Sequence, residues 1–224
     1  MTSSLTPFFH PSGVAVIGAS ANPRKLSYGI LRNLVQSGYQ GGIYPVNPTA
    51  AEILGKPAWA DISGVPDPVE LAEIVLPVPA IPAALEACGK RGVKAVVVIS
   101  GGFKEVGAEG EQMEQRCLEI IRQYGMRMIG PNCVGLMNLH AGLNTTFIYG
   151  LPDTGGISFL AQSGAAMGGV VDTMLGKKIG FSHLVSMGNE ADVTETDLME
   201  YLAEDDTTRG IAAYVEQIKD GRRI

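Results

Sequence analysis

The chain is poor in cysteine and histidine and carries no excess of positive charge. Its three cysteines, Cys88, Cys117 and Cys133, are odd in number and widely spaced. That excludes a disulfide framework and reads as free thiols in a reducing, cytoplasmic setting. Its three histidines, His10, His140 and His183, show no paired ligand spacing, so no metal site is expected. A formal net charge of -6 argues against a general nucleic-acid binder. No apolar run reaches the ~20 residues of a membrane span. Residues 1–11 show no basic region followed by an apolar stretch, so no secretory signal is expected either. The 224 residues are 46% hydrophobic and 18% charged, enough to bury a core in one large domain or two small ones.

What the chain does have is a strand that turns sharply into a helix. Val14-Ala15-Val16-Ile17 ends in Gly18-Ala19-Ser20, and a helical pattern follows through Ile30, Leu31, Leu34 and Val35. Small residues let a ligand approach the main chain, and the N–H groups of a first helical turn favour an anion. Arg24 and Lys25 add positive charge nearby. A phosphate-bearing ligand is the expectation, with an ordinary strand-to-helix turn as the alternative. A nicotinamide dinucleotide is disfavoured. Its fingerprint needs G-x-G-x-x-G and an acidic residue after the second strand. Here Gly18 stands alone, and the second strand runs through Gly42–Val46 into Asn47-Pro48. A carboxylate there would repel a ribose bearing its own phosphate, so its absence is compatible with coenzyme A.

Apolar runs at Val14–Ile17, Gly42–Val46, Leu71–Val78 and Ala95–Ile99 alternate with amphipathic stretches at Ile30–Gln36, Ile81–Lys90 and Glu109–Tyr124. Gly125 stops the last of these, and Arg127–Gly130 reads as a further strand. Repeated βα units predict an α/β fold, a Rossmann-like doubly wound parallel sheet. The strand ends carry Gly, Pro, Asn and Ser together, which reads as a ligand-facing rim beyond the carboxyl edge. Residues 1–140 are expected to form this domain and 141–154 a linker. Residues 155–224 then start a second α/β unit, with strands at Gly156–Leu160, Phe181–Ser186 and Gly210–Val215. Helices are expected at Ala166–Leu175 and Thr194–Ala203, the latter capped by Thr194 with Asp197 three residues on. A half-sheet of three strands leaves a face bare, so this unit is expected to be truncated, its remainder lying elsewhere.

Several stretches resemble, in order, the NDP-forming acyl-CoA synthetases, the group that includes ADP-forming acetate–CoA ligase and the α subunit of succinate–CoA ligase. They are Val16–Ser20, Tyr44–Pro48, Ile99–Glu105, Gly130–Gly135, Gln162–Ala165, Ser186–Asn189 with Ala191–Val193, and Tyr214–Glu216 with Lys219-Asp220-Gly221-Arg222. The resemblance implies a coenzyme A-binding domain followed by a flavodoxin-like ligase domain. It implies that Gly18, Ala19, Ser20 and Lys25 meet the phosphates, and that Asn47, Val78, Pro79, Ser100 and Phe103 border the nucleotide. Asn132 would lie near the thiol end. Ser163 and Gly164 would receive the phosphate of a phosphohistidine at a helix N-terminus, and Glu216 would orient the histidine ring. The whole enzyme would interconvert acyl-CoA, NDP and phosphate with a small carboxylic acid, CoA and NTP. An ATP-grasp domain or β subunit would hold Mg²⁺ and ATP or ADP, in a hetero- or homo-oligomer.

The family's histidine lies in a Gly-His-Ala-Gly setting, and none of this chain's histidines does. His183, within a strand, reads as a partly buried structural residue. The chain alone is therefore expected to be inactive, and a non-catalytic CoA- or acyl-CoA-sensing module of a protein acetyltransferase stands as the alternative. Thr49 departs from the Lys that relatives often carry after Asn-Pro. Ser163 is also a natural helix cap, Glu216 a natural surface carboxylate, and Cys133 a natural buried thiol.

Overall fold

Short β-branched runs and amphipathic stretches fold as alternating strands and helices in this computed structural model, which describes residues 3–219 and 221–223. Asp220, quoted in the last matching stretch, lies outside the described residues. A single helical turn, α1 (Thr6–Phe9), precedes β1 (Gly13–Ile17). Next come α2 (Leu26–Gln36), β2 (Gly42–Val46), the hairpin β3 (Glu52–Ile53) and β4 (Lys56–Pro57), and β5 (Leu71–Ile74). Then follow α3 (Ile81–Arg91), β6 (Ala95–Val98), α4 (Ala108–Tyr124) and β7 (Arg127–Ile129). The second half holds β8 (Leu136–Asn138), β9 (Leu143–Asn144), β10 (Thr154–Ala161), α5 (Gly164–Met174), β11 (Phe181–Ser186), α6 (Glu195–Ala203) and β12 (Gly210–Tyr214).

The first sheet has five parallel strands in the order β2-β1-β5-β6-β7. Every residue of β1 is buried, as expected of a parallel strand covered on both faces. Its side chains alternate: Val14 and Val16 join one core cluster, Ala15 and Ile17 another. The helices stop where left-handed glycines stand, Gly92 after α3 and Gly125 after α4. Strand order reverses between β1 and β5, which opens a crevice beyond their carboxyl ends.

The second sheet runs β12-β10-β11-β8-β9. Its three parallel strands lie where the sequence placed them. β8 and β9 add two antiparallel strands. β8 comes from the expected end of the first domain, and β9 from the expected linker. They are three and two residues long, too short for a period to show, and their buried Asn138 and Asn144 read as loop residues. Asn138 Oδ1 takes the Ala141 N–H at 3.1 Å, and Asn144 Oδ1 takes the Thr146 N–H at 3.0 Å. β12 is exposed along its whole length.

The two halves share a core. Phe8 and Phe9 of α1 are fully buried in one cluster with Val14 and Leu34 of the first half and Leu160, Val185 and Leu198 of the second. Phe9 stacks on Tyr201 at 4.9 Å and meets His183 edge-on at 5.1 Å. Asn33 Nδ2 of α2 donates to the carbonyls of Thr146 and Ile148, both at 2.7 Å.

Candidate functional site

The crevice between β1 and β5 begins at Gly18. Its φ is +86°, and a Cβ there would stand 2.3 Å from the Val75 carbonyl oxygen, so the turn requires glycine. The Gly18 and Ala19 N–H groups are not free for a ligand: both donate to the Val46 carbonyl, at 3.1 and 3.2 Å. The helix starts at Leu26, ahead of the apolar stretch expected at Ile30–Gln36. Ser20 Oγ accepts the Asn22 N–H and Asn22 Oδ1 accepts the Arg24 N–H, which builds a loop up to Lys25. α2 then opens at Leu26 with no side-chain cap; the Tyr28 N–H donates back to the Lys25 carbonyl at 3.1 Å, and the Leu26 and Ser27 N–H groups are left to solvent or an anion. Gly18, Ala19, Ser20, Lys25, Asn47 and Ser100 line one cleft of about 480 Å³. Asn47 braces that cleft: its Nδ2 donates to the Ala19 carbonyl at 2.8 Å, and its Oδ1 takes the Thr49 and Ala50 N–H groups.

A second cleft, of about 720 Å³, brings Asn132, Ser163, Gly164 and Glu216 together with Ser100. Leu26 and Ser100 line both clefts, so the two run on as one trough. At its far end Ser163 caps α5, its Oγ accepting the Ala166 N–H at 3.3 Å. Gly164 lets this helix start come in close, for a Cβ would lie 2.4 Å from Val134 Cγ2. Glu216 is exposed, and its N–H is held by Gln162 Oε1 at 2.6 Å.

Three expected residues are placed apart. Val78 and Pro79 stand in a short 3₁₀ turn ahead of α3 and line neither cleft. Phe103 has 0% exposure and packs in the core of the first half. Left-handed Gly102, at φ +107°, precedes it, and its ring turns inward rather than toward the rim. His183 is fully buried, more so than its sequence suggests, with Asp205 Oδ2 3.7 Å and Ser158 Oγ 3.3 Å from Nδ1. Burial pushes its imidazole down to about 4, against the pull of Asp205. Cys133 lines the second cleft, but its Sγ faces the Val98 carbonyl at 3.4 Å and burial drives its thiol pKa far up, so it remains protonated at neutral pH.

Sequence reasoning assigned no role to Gln162, although it precedes Ser163. Its Oε1 takes the N–H groups of Glu216 and Gln217, and its Nε2 donates to Glu190 Oε2 at 2.8 Å and to the Gln217 carbonyl at 2.7 Å. Nor did the sequence show the hub beneath the rim. Asn189 Nδ2 donates to Glu105 and Glu114, at 2.7 and 2.9 Å, and the Asn189 carbonyl accepts from Lys104 and Lys219. Burial alone would raise the Glu105 carboxyl, but hydrogen bonds from Asn189 and from the Gly102 and Phe103 amides outweigh it and hold it below the usual range. These partners meet only through the fold; their one sequence signal is that Lys104, Glu105, Asn189 and Lys219 fall in the quoted stretches, while Glu114 does not.

Residues 12–138 match the CoA binding domain, and residues 154–224 match the succinyl-CoA ligase like flavodoxin domain. The chain is 49% identical to the alpha subunit of ADP-forming acetate–CoA ligase II from Pyrococcus furiosus, over 97% of this chain and 47% of that protein. It is 45% identical to the alpha subunit of ligase I from the same organism, over 99% of this chain and 49% of that protein. Among solved structures, the dinucleotide-forming acetyl-coenzyme A synthetase 1 of Ca. Korarchaeum cryptofilum, in complex with phosphate and ADP, superposes with a TM-score of 0.94 at 41% identity. That match covers 97% of this chain and 47% of the other. The chain thus spans about half the length of the curated relatives it matches. Over residues 12–138 it belongs to the CoA binding domain family, followed by a succinyl-CoA ligase like flavodoxin domain.

Proposed function

We propose that this chain forms the CoA-binding part of an ADP-forming acid–CoA ligase acting in the cytoplasm. The observation that carries the reading is the continuous trough, with a helix N-terminus at each end. An elongated ligand with phosphates at one end and a reacting group at the other suits it. The uncapped start of α2, with Lys25 beside it, would take the phosphates of CoA. The chain of CoA would run past Leu26 and Ser100 and bring its thiol toward Asn132. At the far end, Ser163 already satisfies one amide of α5, and the N–H groups of Gly164 and Ala165 would receive a phosphoryl group.

Glu216 would hold one ring nitrogen of a phosphorylated histidine supplied from outside these residues, leaving the other nitrogen to carry the phosphoryl group. Val78 and Pro79 would border the nucleotide only at the outer rim, and Phe103 would support it from the core. The matched regions support a working division into a CoA-binding unit and a ligase unit, joined by the β8–β9 segment. An ATP-grasp domain or β subunit would hold Mg²⁺ with ATP or ADP, and a small carboxylic acid would be the second substrate.

Calorimetric titration with CoA tests this reading. The expected result is saturable binding that weakens with 3′-dephospho-CoA and is absent with NAD. Lys25→Ala should weaken CoA binding roughly tenfold, the loss of one charge-assisted contact. Binding of NAD without CoA would overturn the reading.

A further inference from the structure

We propose that Glu190 and Glu195 form a buried carboxyl pair sharing one proton, and that this pair positions Glu216 through Gln162. The inference rests on the reading above only in taking Glu216 as part of the site. Glu190 follows the turn after β11 and Glu195 opens α6. Their exposures are 3% and 0%. Glu190 Oε1 and both oxygens of Glu195 have no hydrogen-bond donor among the described residues. The two carboxyl groups lie close enough for each to act on the other, with no donor between them. Two ionised carboxylates offer only acceptors, so this contact becomes a bond only when one of them carries a proton. A shared proton therefore joins two of the three orphaned oxygens and removes the cost of a second buried charge.

The other groups facing Glu190 are few. From the tail, Lys219 Nζ donates to its backbone carbonyl, and from just past β10, Gln162 Nε2 donates to its Oε2. Lys104, Glu105 and Glu114 stand one layer away, around Asn189. Burial, and then the like charge of Glu195, push the Glu190 carboxyl up to about 7, with Lys219 opposing. Glu190 also holds a left-handed backbone, φ +51°, which is uncommon for a residue with a side chain and persists where its surroundings dictate it.

The consequence lies one bond further on. Gln162 spends its amide on Glu190, on the Glu216 and Gln217 N–H groups and on the Gln217 carbonyl. A change in the charge or placement of the Glu190 carboxylate is thus felt at the amide of Glu216 and at Ser163, which follows Gln162. Glu190 acts through another residue and is a positioning residue.

Backbone amide NMR of this chain between pH 5.5 and 8.5 tests the proposal. The Glu216 and Gln217 amides should titrate together with one midpoint near neutrality. Glu195→Gln supplies a donor in place of the like charge and should lower that midpoint by more than one pH unit. Glu190→Gln should abolish the transition in both amides while the remaining spectrum stays dispersed. Carboxyl carbon shifts of the unmodified chain give the same midpoint without any substitution. Amides that stay flat over the range would overturn the proposal, as would a transition unchanged in both variants or carboxyl carbons that titrate near 4.5. The readout contains no CoA, so its failure is separate from a failure of CoA binding.

Discussion

Glu73 stands on β5, the middle strand of the first sheet, with 0% exposure and neither carboxyl oxygen hydrogen-bonded among the described residues. Burial pushes its carboxyl up to about 8, and the Thr145 hydroxyl, already donating to the Leu136 carbonyl, opposes this only in part. A folded-state pKa above the unfolded value means that the native state binds more protons between about 4.5 and 8. Stability is therefore full below that window and falls through it, by about 1.4 kcal/mol per pH unit at most. Denaturation by urea from pH 5 to pH 8 should show this fall, and Glu73→Gln should flatten it. His183 slopes the other way: its depressed pKa loses stability as pH drops from 6.5 toward about 4. Little of this was legible beforehand. A lone Glu inside Leu71–Val75 reads as one polar residue in a strand, and only the fold brings Thr145 and Cys133, distant in the chain, up to it. Lys25 and Ser163 were legible, because a basic residue and a helix cap act within a few residues of where they stand.

At the scale of the element, local chemistry decided well. Thr194 and Asp197 form the full capping box at α6: Asp197 N–H reaches Thr194 Oγ1 at 3.4 Å, and Thr194 N–H reaches Asp197 Oδ2 at 3.2 Å. Thr194→Ala should cost about 1 kcal/mol, read as a lower urea midpoint at unchanged slope. Gly92 and Gly125 stop their helices for the same kind of local reason. The β8 and β9 strands were not legible, because β8 pairs with the distant β11 and β9, among the described residues, pairs only with β8. Val185 pairs with Leu136 and Leu184 with Met137, and such distant pairing leaves no period in a three-residue segment. The start of α2 was legible only in part. The apolar period begins at Ile30, but the helix opens four residues earlier, at Leu26, after the linked Ser20, Asn22 and Arg24 bonds have built a loop.

At the scale of the whole molecule, one core cluster runs through both halves. α1 is a single turn, yet Phe9 touches both His183 and Tyr201 of the second half. Phe9→Ala should cost about 3–5 kcal/mol, as large buried aromatics do. It should lower one common thermal transition read at both sheets; two resolved transitions would mean that the halves unfold independently. The amino-acid order by itself determined the alternation of strands and helices, the doubly wound first sheet, the residue types along its carboxyl rim and the family. Those features depend on side-chain period, on backbone freedom at glycine and on caps, all of which act within one or two helical turns. Tertiary structure alone decided that the two clefts meet at Leu26 and Ser100, that Phe103 turns inward, and that Glu190 reaches Gln162. Each of these joins residues far apart in the chain, and burial, which sets both packing and the charge a carboxyl can bear, exists only once the chain has closed around them.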